Sequence, residues 1–161
     1  AALLKFTIAR VHPGDAALMQ AILEISESAM TYRSRYLSSL QAHAVIDLLL
    51  QDETNPRSIA FQATAIAEHL RAIAPTWGID GANGEEERLI ATVQQALGSA
   101  DVQDLSRDTG GAIRANLLNL LVAAEKNLPL ISDAISRHYF THADPPQQVS
   151  GGWERDAETP R

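Results

Sequence analysis

The chain has 161 residues, 45% hydrophobic and 20% charged, a length and balance that fit one globular domain able to bury about two-thirds of its unfolded surface. Cysteine is absent, which rules out disulfides, thiol catalysis and cysteine-ligated zinc, and 13 basic against 20 acidic residues give a net charge of -7 that argues against nucleic acid or an anionic membrane as partner. No apolar run approaches the ~20 residues of a membrane-spanning helix.

Ala1 to Val11 places Leu4, Ile8 and Val11 on one helical face, although Leu4, Phe6 and Ile8 would also share a strand face. The favoured reading is the tail of a helix that begins upstream; the run lacks the basic start and long apolar centre of a signal peptide. His12, Pro13 and Gly14 break the chain. Asp15 then suits a helix cap, and Leu18, Ile22, Ile25 and Ala29 predict a helix running on to near Ser39. Ala44 to Leu50 is almost continuously apolar; leucine and alanine outnumber β-branched residues, which favours helix over strand. In Asp52 to Ser58 one helix stops and another starts, with Asn55 as the expected cap and Pro56 at the first helical position. Ile59, Ala63, Ile66, Leu70 and Ile73 give the next stripe, closed by Pro75 and Gly78.

Gly81 to Gly84 is a loop. Glu85, Glu86 and Glu87 then enter a helix at its positive end, as a solvated start, with Leu89, Val93 and Leu97 facing inward. A polar stretch follows from Gly98 to Gly111, with one short turn around Val102 to Leu105 and a hinge at Gly110-Gly111. Ile113, Leu117, Leu120, Leu121, Ala124, Leu128, Ile131 and Ile135 then predict a long last helix, kinked at Pro129 where a backbone hydrogen bond is lost. No alternating segment is bounded by hairpin turns. The expected fold is an all-α bundle of five or six mostly antiparallel helices over residues 1–142. Residues 143–161, with Pro145, Pro146, Gly151, Gly152 and Pro160, form an expected flexible tail on which only Trp153 is a candidate to dock.

Tests for chemistry return little. There is no HExxH, no glutamate spaced before histidine as in di-iron bundles, no phosphate-binding glycine loop and no nucleophile elbow. His138 and His142 could share a helix face, but two histidines do not make a metal site, and no metal or other cofactor is expected. The distinctive cluster is Tyr32, Arg33, Arg35 and Tyr36, with Asp47, Asp52, Asn55 and Arg57. It supports an anion site lined by Arg33 or Arg35 with Arg57 near a helix N-terminus, or arginine–aspartate pairs tying helices together. Arg137, His138, Tyr139 and His142 form a second cluster at the end of the last helix, more consistent with packing than with chemistry.

Three stretches carry a family resemblance: Met30 to Tyr36 with its Tyr-Arg-x-Arg-Tyr block, Val45 to Leu50, and Asp52 to Gln62 with its Asp-x-x-Asn-Pro-Arg-Ser block. Together with Leu130 to His142 they resemble the bacterial alpha-E domain family, named for a Glu-Arg motif. The resemblance implies an all-helical domain found beside, or fused behind, circularly permuted ATP-grasp proteins and near transglutaminase-like peptidases. That neighbourhood implies a cytoplasmic peptide ligation or modification system. It supplies no catalytic residues. The naming motif is expected on a helix just before Ala1, whereas the Glu-Arg pairs here are Glu87-Arg88 and Glu154-Arg155, so the chain resembles the C-terminal part of a longer protein.

The expectation is therefore a non-catalytic accessory or interaction domain with an ATP-grasp partner, in cis or in trans. The alternative is an anionic-ligand-binding or catalytic domain using the Arg/Asp cluster of residues 33–57. A third reading, a purely structural bundle, differs by forming a homo-oligomer.

Overall fold

The computed structural model describes residues 1–10, 15–37, 39–77, 84–108 and 113–140. Val11 to Gly14, the Gly81 loop, the Gly110-Gly111 hinge and the tail beyond Phe140, with Trp153, lie outside the described residues. Among the described residues there are eight α-helices and no strand: α1 (Ala2–Thr7), α2 (Asp15–Ile25), α3 (Ala29–Arg35), α4 (Ala42–Ile46), α5 (Ile59–Ile73), α6 (Glu85–Gly98), α7 (Val102–Ser106) and α8 (Ala115–Ile135). The all-helical class holds. The count exceeds five or six because the turn after α6 closes as α7, and the helix expected from Asp15 to near Ser39 is two.

That division has a local cause. α2 ends where Glu27 takes a left-handed backbone, φ 52, and Ser28 N–H turns back to the Leu23 carbonyl at 2.8 Å. Ser28 is fully buried, so the chain changes direction around a polar pivot and not along one straight helix. Asp15 is the first residue of α2, not the flanking cap, and its carboxylate pairs with Arg114 at 2.8 Å.

The apolar run folds as α4 and a following π-helical turn, Asp47–Gln51, and Val45, Ile46, Leu48 and Leu50 are completely buried. Around it α5, α6 and α8 pack in sequence, α1 lies on α8 and α2, and α7 lies on α4. The buried face of α5 is Ala60, Ala63, Ala67 and Leu70, one step round from the expected isoleucine stripe. Alanines let helices approach closely; Ile59 and Ile66 are left half-buried on the flank and Ile73 exposed. α8 continues through Pro129 to Ile135 and ends in a second π-helical turn, Ser136–Phe140.

Arg114 staples the two ends of the described fold. Its guanidinium, 6% exposed, donates to the Ile8 carbonyl at 2.5 Å and the Ser106 carbonyl at 3.1 Å besides Asp15, and its N–H meets the Ala9 carbonyl at 2.8 Å. A buried guanidinium is tolerated only when its donors are used, and here one side chain fixes the end of α1, the start of α2 and the end of α7.

Candidate functional site

The first expected cluster assembles where the end of α3 meets the loop that leads into α5. Asp52 organises that loop. One carboxylate oxygen accepts from Thr54 N–H at 2.9 Å and from its hydroxyl at 2.7 Å; the other accepts from Arg35, whose second nitrogen reaches Thr54 Oγ1 at 2.6 Å. Burial pushes the Asp52 carboxyl up, but the Thr54 hydrogen bonds and the Arg35 charge outweigh it and hold the group below its ordinary range. Asn55, 2% exposed, donates to the Leu48 carbonyl at 2.8 Å and reaches Ser28 Oγ at 3.4 Å, binding the loop to the π-helical turn and to the pivot after α2.

The expected cap is displaced by three residues. Ser58 caps α5, its hydroxyl accepting from Phe61 N–H at 3.0 Å while donating to the Asp52 carbonyl at 2.6 Å. Asn55 stands three residues before the cap position of α5, and its oxygen accepts Arg57 N–H within the turn. Pro56 and Arg57 therefore lie in the turn before the helix, and Arg57 does not sit inside the helix N-terminus as expected.

The tyrosines close the other side. Tyr32 is buried and its hydroxyl accepts from Gln41 N–H at 3.1 Å and donates to the Ser39 carbonyl at 3.3 Å. Tyr36 stacks on it with ring centroids 5.0 Å apart and donates to Asp47 Oδ2 at 2.6 Å. Burial first, then the Asp47 hydrogen bond and charge, push the Tyr36 hydroxyl well above the usual tyrosine range. The arginines do not converge on one point. Arg35 pairs with Asp52, Arg57 with Glu27, and Arg33 is exposed. Divergence of Arg33 from Arg35 follows from their two-residue spacing on a helix.

The second cluster joins the start of α6 to the end of α8. Arg137 meets Glu85 at 2.8 Å on the surface, and His138 Nδ1 lies 2.6 Å from Glu86 Oε1. Tyr139 is buried beside the His138 ring, 5.2 Å between centroids, and burial together with Glu86 and Glu87 pushes its hydroxyl up. His142 lies outside the described residues. Glu86 corrects the solvated-start reading: it is 3% exposed. Its carboxyl group folds back over Gly84, where a Cβ would stand 2.4 Å from Oε1. The spacing Glu86, Ile90, Val93, Leu97 is that of an inward stripe and is the signal that marks Glu86. Ser28, Glu27 and Thr54, the other partners missed in the sequence, carry no comparable pattern.

Among the described residues no group of three potential ligands could hold a metal, and no helix is long and apolar enough to cross a membrane. Near these clusters an apolar cavity of about 170 Å³ opens between α5, α6 and α8, bounded by Ile59, Ile66, Ile90, Val93, Leu128 and Ile131. Arg57 and Ser58 stand at its edge.

Residues 1–140 match the Alpha-E family, described as a predicted alpha-helical domain with a conserved ER motif. The Glu-Arg pair inside the matched span is Glu87-Arg88, on α6. The chain is also similar to uncharacterised proteins of Mycobacterium bovis and Mycobacterium tuberculosis, each 28% identical over 137 residues. That stretch is 84% of this chain and 15% of each relative, so the chain spans a small part of the curated relatives it matches. No solved structure matches it. The chain belongs to the Alpha-E family.

Proposed function

We propose that this Alpha-E domain is a non-catalytic interaction module that docks on a circularly permuted ATP-grasp protein or domain, within a cytoplasmic system that ligates or modifies peptides. The observation that carries the reading is how the polar side chains are used. Arg35, Tyr36, Asn55 and His138 are each bonded to another element or loop of the same fold, so the clusters act as joints. The apolar cavity between α5, α6 and α8, with Leu128 exposed at its rim, offers the partner a place for an apolar side chain. The far greater length of the relatives supports a setting in which such a face is covered by another part of the assembly.

The anionic-ligand reading would require Arg35 to leave the largely covered Asp52 carboxylate, which weighs against it, whereas the exposed Arg57–Glu27 pair is easily given up. Size-exclusion chromatography of the chain mixed with an ATP-grasp protein from the same organism tests the proposal. Co-elution is expected, and Leu128→Glu should abolish it, because a carboxylate at the rim would have to be desolvated. Separate elution at every concentration would sink the docking reading. A thermal shift with ATP or phosphate alone would instead revive the anion site.

A further inference from the structure

A different flank of the α5–α6 pair carries a second cavity of about 70 Å³, of mixed character, lined by the polar Gln51, Glu53, Thr64 and Gln94 together with Ala60, Leu97 and Gly98. One water needs only about 15 Å³ measured this way, so the space admits a group of several heavy atoms. The orientation of the amides decides its chemistry. Gln51 Nε2 donates to the Leu97 carbonyl at 2.5 Å and the Ala100 carbonyl at 2.7 Å; carbonyls only accept, so the Gln51 nitrogen must point there and its oxygen elsewhere. Gln94 Nε2 donates to Thr64 Oγ1 at 3.1 Å, which likewise leaves an amide oxygen uncommitted. Glu53 is exposed beside them and brings a carboxylate, and no lysine or arginine lines the cavity. α6, 14 residues long, ends at Gly98 on the lining of the same cavity, where the Leu97 carbonyl already accepts from Gln51 and from Ala100 N–H. The amide oxygens and the carboxylate favour a donor-rich cation.

We infer that this cavity binds a primary ammonium group, on a free small amine or on a lysine side chain of a partner. It is independent of the apolar docking face, since it shares none of that cavity's lining residues. The three N–H donors of an ammonium match the Gln51 and Gln94 oxygens and the Glu53 carboxylate.

The test is a titration of the 15N-labelled 161-residue chain with butylammonium, with butanol as the neutral isostere, read by NMR. Butylammonium is expected to move the side-chain amide signals of Gln51 and Gln94 saturably, and butanol is expected not to. Glu53→Gln, at an exposed position, should weaken the apparent Kd by about fivefold, the worth of an exposed charge pair. Gln94→Leu should also weaken it, while circular dichroism of both variants stays native. An N-acetyl-lysine amide that binds tighter than butylammonium assigns the site to a lysine side chain, and one that binds more weakly assigns it to a free amine. Equal shifts with butanol, an unchanged Kd in Glu53→Gln, or magnesium ion moving the same signals at lower concentration than the amine would each overturn the inference.

Discussion

The joint between α3 and the loop into α5 and the joint between α6 and α8 do the same mechanical work by opposite means. The first buries neutral polar groups: Asn55, Ser58 and Ser28 are all 2% exposed or less, bonded to carbonyls and to one another. Arg35, Glu27 and Arg57 sit outside, and the one largely covered charge is the Asp52 carboxylate, its side chain 9% exposed and met by Arg35 and Thr54. The second inverts that arrangement. A carboxyl group, Glu86, is inside, and its partner His138 forms a charged pair with it only when the imidazole is protonated. Neutral groups can be buried at low cost when each donor and acceptor is matched, whereas a buried carboxyl depends on one partner. The first joint therefore rests on many matched neutral bonds, and the second on one histidine–carboxylate contact.

Substitutions sharpen the contrast, from the deepest group outward. Asn55→Ala orphans the Leu48 carbonyl and should cost about 3 kcal/mol in urea unfolding. Glu86→Ala strands His138 and leaves a void beside Tyr139; a loss of about 2 kcal/mol is expected, with Glu86→Gln recovering part of it. If Glu86→Ala costs more than Asn55→Ala, the ranking of the two joints is reversed. Ser58→Ala removes the α5 cap and should cost about 1 kcal/mol. At the surface, Arg57→Ala and Arg137→Ala should each stay within about 0.5 kcal/mol, because both pairs are screened by water.

The first joint also has its own pH signature. The Asp52 carboxyl is held below its ordinary range when folded, so it stabilises the fold above the unfolded value, about 3.9. That contribution is lost as pH falls through the depressed folded value. Tyr36 is raised when folded, so its contribution is complete below about 10 and fades as pH climbs past it. Stability measured against pH should lose its acid slope in Asp52→Asn and its alkaline slope in Tyr36→Phe.

The same comparison explains what could be read from the residues. Leu117, Leu121, Ala124 and Ile131 repeat at helical spacing and are buried in α8 as that spacing implies. Asn55 stands out in the sequence for its cap preference, but that preference does not reveal that α5 starts three residues later at Ser58, or that the Asn55 oxygen is taken by Arg57 N–H. In α5 the spacing picks out Ala63 and Leu70, which are buried, but favours Ile59, Ile66 and Ile73 over Ala60 and Ala67, because isoleucines outweigh alanines on any hydrophobicity scale while the buried face here is built of the smaller side chains. The arginine cluster is visible in the sequence without its wiring, since Glu27 and Ser28 become neighbours of the loop through a left-handed residue that no motif announces.

Arg114 adds a constraint in time. Its bond to the Ile8 carbonyl spans 106 residues of chain. At ribosomal speeds of about 5–20 residues per second, roughly 5–20 s pass between the synthesis of these two partners. Through that interval Leu4 and Ile8 lack the α8 surface that covers them, and loop closure over such a distance comes late in folding. α1 is thus secured only after α8 has been made, which leaves its apolar face open to chaperones, proteases and competing apolar surfaces while residues 9–114 are being synthesised.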